Sequence, residues 1–204
     1  MHQTDSAKRR FIALWAAATL FKCALAARLP LFVDEAFYWQ EGRHPAWAYS
    51  DLPGLTAWLT RLGVELGGHS LLGLRWPFLL MAALLPWWLV KIARREGDPA
   101  HAWTVGALAV LLPLLGTLGV LALPDVPLAL ATVLCLDACT RLMRGVDWTA
   151  FALLAAGLAI GGLTHYRFVA VIGIGFLVLV SLPEGRRALR DARVWLAVCI
   201  GALA

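Results

Sequence analysis

Long apolar blocks separated by short polar stretches set the plan of the chain. The blocks cover residues 11–29, 72–92, 103–123, 128–142, 149–163 and 168–182, and another opens near Val194. They show neither the alternation of a half-buried strand nor the one-sided stripe of a soluble helix. About 20 apolar residues cross the hydrocarbon core of a bilayer, and only helices or closed barrels satisfy their backbone there. A barrel needs short alternating segments, which this chain lacks. The pattern therefore predicts an all-α, polytopic transmembrane helix bundle, with about six complete spans and the start of a seventh. The first block follows Lys8, Arg9 and Arg10 and contains Ala24-Leu25-Ala26, as a cleavable signal peptide would. Lys22 inside that block, and the apolar blocks downstream, favour a retained helix.

The stretch 30–71 is of another kind. It carries Asp34, Glu35, Glu41, Asp51 and Glu65 among Trp39, Trp47 and Trp58, with Pro45 and Pro53 as breakers. Two short amphipathic helices are expected there, over 34–41 and 55–66, lying in the membrane interface. Asp34 is placed to cap the first. Leu55, Leu59, Leu62 and Leu66 make a lipid-facing stripe on the second.

Composition agrees: 61% of residues are hydrophobic and 15% charged, against roughly a quarter charged in soluble domains. The net charge of +5 could suit nucleic acid, but 12 of the 18 basic residues stand in the segments after alternate blocks and before the first. By the positive-inside rule these segments face the cytoplasm of a bacterial inner membrane, as does the N-terminus. The stretch 30–71 then faces the periplasm. The four cysteines all fall in apolar runs and read as small packing residues rather than as a metal site or disulfides.

Orientation does not account for the outer acids, because acidic residues contribute little to it. Asp34 and Glu35 adjoin the outer end of the first span. They serve equally as a solvated helix start or as a general base and substrate ligand. Asp125 stands alone between Pro124 and Pro127, whose fixed backbone would aim its carboxylate. His165, Tyr166 and Arg167 put a cation and hydrogen-bond donors at the outer mouth of the fifth and sixth spans, or form an ordinary interfacial belt. Arg75, early in the second span, must pair with an acid, bind an anion or snorkel outward. Acids and cations at an outer surface fit a lipid-phosphate substrate with a hydroxyl to be deprotonated; a transporter would use them almost as well.

Four motifs in order carry a resemblance. Asp34-Glu35-Ala36-Phe37-Tyr38-Trp39 resembles the first-loop acidic motif of the GT-C membrane glycosyltransferases, in the branch of protein O-mannosyltransferases and lipid A aminoarabinose transferases. Tyr49-Ser50-Asp51-Leu52-Pro53-Gly54 resembles a Tyr-x-Asp-His-Pro-Pro stretch, Leu123-Pro124-Asp125-Val126-Pro127-Leu128 a Leu-Pro-Asp-x-Pro-Leu turn, and Gly162-Leu163-Thr164-His165-Tyr166 a Gly-Leu-x-x-Lys-Tyr element. The resemblance spans essentially residues 1–204, as one module from the N-terminal part of a longer protein. It implies inverting transfer of a sugar from a polyprenyl-phosphate carrier to a glycolipid or protein acceptor on the outer side of the membrane. Asp34 would be the base, with Glu35 supporting it. Tyr38, Asp51 and Asp125 would line the substrate cavity, and Arg75, His165, Tyr166 and Arg167 would hold the lipid phosphate. No cofactor or metal is implied, and no nucleic-acid partner. Leu52, Gly54 and His165 depart from the motifs, which leaves open a catalytically inactive homologue that binds lipid-linked phosphate or scaffolds a membrane complex.

Overall fold

The computed structural model describes residues 2–203. Eleven helices follow one another: α1 (His2–Arg28), α2 (Val33–Gly42), α3 (Leu55–Gly67), α4 (Leu71–Glu96), α5 (Ala102–Leu111), α6 (Pro113–Thr117), α7 (Asp125–Leu142), α8 (Trp148–Thr164), α9 (Phe168–Ser181), α10 (Pro183–Ala188) and α11 (Ala192–Leu203). Among the described residues the single departure is an isolated antiparallel bridge, Ala48 to Pro53. Two helices, α1 and α4, are long and apolar enough to cross a membrane, and α5, α8, α9 and α11 are shorter apolar helices. The chain divides into two compact units: Met1–Pro45 with Thr56–Val126, and Ala46–Leu55 with Pro127–Ala204.

In the first unit α1, α4 and α5 pack around an aromatic core. Phe11 meets the Trp87 ring edge-on at 4.8 Å, and Trp87 in turn meets Trp15 and Trp103. The Trp15 indole donates to the Ala83 carbonyl at 2.8 Å, which gives a buried polar tip its partner. Helix α4 runs unbroken through Pro77 and Pro86. The expected third span does not. Pro113 lacks an amide hydrogen and forces Leu112 out of helical geometry, to φ −62° and ψ 129°. The block over 103–123 is therefore α5, the single turn and a half of α6, and an irregular strap up to Asp125. Irregular backbone at membrane depth needs substitute partners. Lys22 supplies them: its ammonium donates to the carbonyls of Leu115 and Leu118, at 2.9 and 3.1 Å. Gly119 turns the strap with φ +90°, where a Cβ would strike Ala82 and the Phe78 carbonyl.

The two short helices expected between the first two apolar blocks form as α2 and α3. On α3 Leu62 and Leu66 are exposed, whereas Leu55 and Leu59 are half-buried. The inward face is Thr56, Ala57, Thr60 and Gly63. A helix with its large apolar residues outside and small polar ones inside is built for an apolar surrounding. The Thr60 hydroxyl donates to the Tyr38 carbonyl, tying α3 to α2. At Gly42 a Cβ would meet the Ala57 carbonyl and Arg61 Cβ, so the close approach of these helices depends on glycine there.

In the second unit α7, α8, α9 and α11 meet through small residues, as membrane helices do. Gly157 sits against Cys135 Sγ and the Ala131 carbonyl, and Gly161 against the Phe168 ring. Asp147 caps α8 by accepting from the Ala150 amide at 2.6 Å. Buried Asp137 pairs with Arg141, one turn on, at 2.9 Å. Helix α9 is apolar all round yet buries only Phe168 and Leu179, as a lipid-facing helix should.

Candidate functional site

The acidic pair at 34 and 35 is divided by the helix that carries it. Successive residues on a helix point about 100° apart, so in the first turn of α2 Asp34 faces outward and is exposed, whereas Glu35 faces inward and is wholly buried. Asp34 does not cap α2: Phe32 occupies the cap position, and its amide donates instead to Glu35 Oε2 at 3.0 Å.

Buried Glu35 meets buried Arg75. The guanidinium straddles the carboxylate, with Nε donating to Oε1 at 2.7 Å and Nη2 to Oε2. Arg75 Nη1 donates to the carbonyls of Ala26 and Leu29, and Nη2 to that of Pro30. All five N–H groups of a guanidinium are thus committed. Glu35 is equally saturated, because Oε1 also accepts from the Ala122 amide at 2.7 Å. Burial alone pushes the Glu35 pKa up. The Arg75 hydrogen bonds, the Ala122 and Phe32 amides and the Arg75 charge outweigh it, and the net direction is down. Glu35 is therefore an ionised structural carboxylate with no lone pair free for a base's work, and Arg75 has no donor left for a lipid phosphate. The roles expected of these two as catalytic support and phosphate ligand give way to one clamp. It ties the end of α1, the start of α2, α4 and the strap before α7.

Beside the clamp, Asp125 is exposed in the first turn of α7. It is the one charged residue lining a cavity of about 510 Å³, whose walls include Leu25, Leu29, Leu114, Leu118 and Leu121. Tyr38 is 8% exposed, edge-on to Phe37 at 5.8 Å.

The other expected residues belong to the second unit. Asp51 is exposed at the tip of a small hairpin closed by Tyr49 N to Leu52 O and Gly54 N to Trp47 O, both within 2.9 Å. Leu52, where the motif it resembles has histidine, is buried. His165 ends α8. Its Nδ1 accepts from the Arg167 amide at 3.1 Å, and its ring meets that of Tyr166 at 4.3 Å, tilted by 54°. Tyr166 and Arg167 are exposed. Among the described residues no three His, Cys, Asp or Glu side chains converge as a metal site.

Sequence reasoning required a partner for Arg75 but could not choose Glu35, 40 residues away. It missed the Ala122 amide and the carbonyls of Ala26, Leu29 and Pro30 altogether, since a backbone group has no sequence signature.

The family model for dolichyl-phosphate-mannose-protein mannosyltransferase matches residues 51–204. A lipid A galacturonosyltransferase of Rhizobium johnstonii is 32% identical over 174 residues, covering 82% of this chain and 36% of that protein. The chain thus spans about a third of the length of this curated relative. No solved structure matches.

Proposed function

This chain belongs to the dolichyl-phosphate-mannose-protein mannosyltransferase family of GT-C membrane glycosyltransferases, and from that premise we propose that it is the membrane module of an inverting glycosyltransferase. The sugar comes from a polyprenyl-phosphate carrier and passes to an acceptor hydroxyl at the periplasmic face of the inner membrane. The lipid A sugar transferase among its relatives makes a glycolipid acceptor the first to test. Six complete spans and the start of a seventh, with a cytoplasmic N-terminus, are part of the same proposal.

One observation carries it. The Glu35–Arg75 clamp fixes the first turn of α2 from inside while Asp34, the next residue, projects outward with its carboxylate exposed. A carboxylate on a rigid element with an open face is what a general base requires. Asp34 takes the acceptor proton as the acceptor oxygen forms its bond to the anomeric carbon. The bond from that carbon to the phosphate oxygen breaks on the opposite face, and the polyprenyl phosphate departs. With Arg75 committed elsewhere, Arg167 is the cation proposed for the phosphate, with His165 and Tyr166 as donors. Asp125, above its apolar cavity, and Asp51 are proposed to orient the substrates.

The test is sugar transfer by the purified full-length protein from a polyprenyl-phosphate sugar. Asp34→Asn should lower the rate by roughly 10²- to 10⁴-fold, the usual worth of a positioned base, while binding of the carrier persists. Full activity in Asp34→Asn would remove Asp34 from the mechanism.

A further inference from the structure

Two cavities share a wall on the α2–α3 face of the first unit. One, of about 400 Å³, is lined by Trp39, Arg43, Arg61, Glu65 and His69. The other, of about 360 Å³, is lined by Leu31, Leu71 and Leu74 with Ser70, and Trp39, Val64 and His69 belong to both. These volumes fall in the range of small-molecule sites. The first is the cationic half. Arg43 lies over the Trp39 ring at 5.8 Å, within cation–π range. Arg61 gives its Nε to Glu65 at 2.7 Å. That bond orients the guanidinium, and its terminal amino groups make no other hydrogen bond among the described residues. Both guanidinia line the first cavity, and Glu65 is the carboxylate beside Arg61. The second cavity is the apolar half, reached past Trp39 and His69.

We infer that this face is a subsite for an anionic lipid: a phosphate or carboxylate headgroup between Arg43 and Arg61, its sugar or glycerol ring against Trp39, and the first carbons of its chain in the cavity of Leu31, Leu71 and Leu74. Planar, bidentate donors suit phosphate and carboxylate oxygens. An amphiphile is required because the charged and apolar cavities adjoin, and the exposed Leu62 and Leu66 of α3 suit an apolar surrounding beside them. The inference deepens the proposed function, since the ligand is either the acceptor glycolipid or a bulk anionic phospholipid. It does not stand or fall with transfer. Lost binding with intact transfer removes the subsite alone, and intact binding without transfer removes the enzyme reading alone.

The full chain in zwitterionic phosphatidylcholine nanodiscs is titrated with decyl glucoside 6-phosphate, decyl glucoside, glucose 6-phosphate and phosphatidylglycerol, with binding followed by Trp fluorescence or thermophoresis. Decyl glucoside 6-phosphate should bind at least tenfold more tightly than either decyl glucoside or glucose 6-phosphate. The Arg43→Gln/Arg61→Gln double variant should lose about tenfold or more of that affinity, and Arg43→Lys less. Phosphatidylglycerol displacing the sugar phosphate at equal concentration assigns the site to bulk lipid; failure to displace it assigns the site to a glycolipid. Equal affinity of the wild-type protein for decyl glucoside with and without phosphate overturns the inference without any variant. So does equal affinity for glucose 6-phosphate with and without the alkyl chain.

Discussion

Removing the carboxylate charge at residue 35 would leave Arg75 fully buried among three carbonyls with no counter-ion. Breaking one side of a buried pair costs about 3–5 kcal/mol, so Glu35→Gln should lower the unfolding free energy in detergent by that much and shift the denaturation midpoint down. Asp34→Asn, at an exposed position one residue away, should leave the midpoint unchanged while stopping transfer. Equal midpoints for Glu35→Gln and wild type would dissolve the clamp. The clamp also sets an acid limit. Glu35 has its folded-state pKa held below the ordinary 4.5, so its contribution is complete above that value and is lost as pH falls through the depressed one. Wild-type stability should therefore drop below pH 4.5 more steeply than that of Glu35→Gln, as read from midpoints measured on either side of that value. Of this site the sequence made Asp34 and the solitary cation at 75 legible. It could not divide the acidic pair into one outward and one inward residue, because helix phase is fixed by what Glu35 bonds to across the fold.

At the scale of elements, apolar run length placed the ends of α4, α7, α8 and α9 to within a few residues, but it missed the polar first turns of α1 and overran α5. The run over 103–123 contains Pro113, and hydropathy does not register a missing amide hydrogen. What the break costs in backbone bonding Lys22 partly restores, and this explains a cation within the first apolar block. Lys22→Met should free the strap over 115–122 without unfolding α1 or α4. Hydrogen exchange followed by mass spectrometry should then show faster exchange of peptides covering 115–122, the Ala122 amide included. Unchanged exchange there would mean that packing at Gly119 suffices by itself. The inward Thr56-Ala57-Thr60-Gly63 face of α3 was legible only as the complement of its leucine stripe.

At the scale of the whole molecule, the charge pattern makes an orientation that labelling can read. With the native cysteines replaced by alanine, Ser50→Cys should react with a membrane-impermeant maleimide in intact spheroplasts, and Arg190→Cys only after lysis. The reverse pattern would invert the topology and place Asp34 in the cytoplasm. The clamp has a further consequence, for the order in which the protein is made. Its parts emerge from the ribosome at residues 26–35, then at 75, and last at 122. An arginine entering the bilayer without its counter-charge costs about 2.5–3.5 kcal/mol at the translocon. Glu35 must therefore wait at the membrane surface until the second apolar stretch arrives, and both must wait for Ala122 before the first turn of α2 is set. Biosynthesis thus delays the assembly of Asp34's support until three stretches of the chain have been inserted.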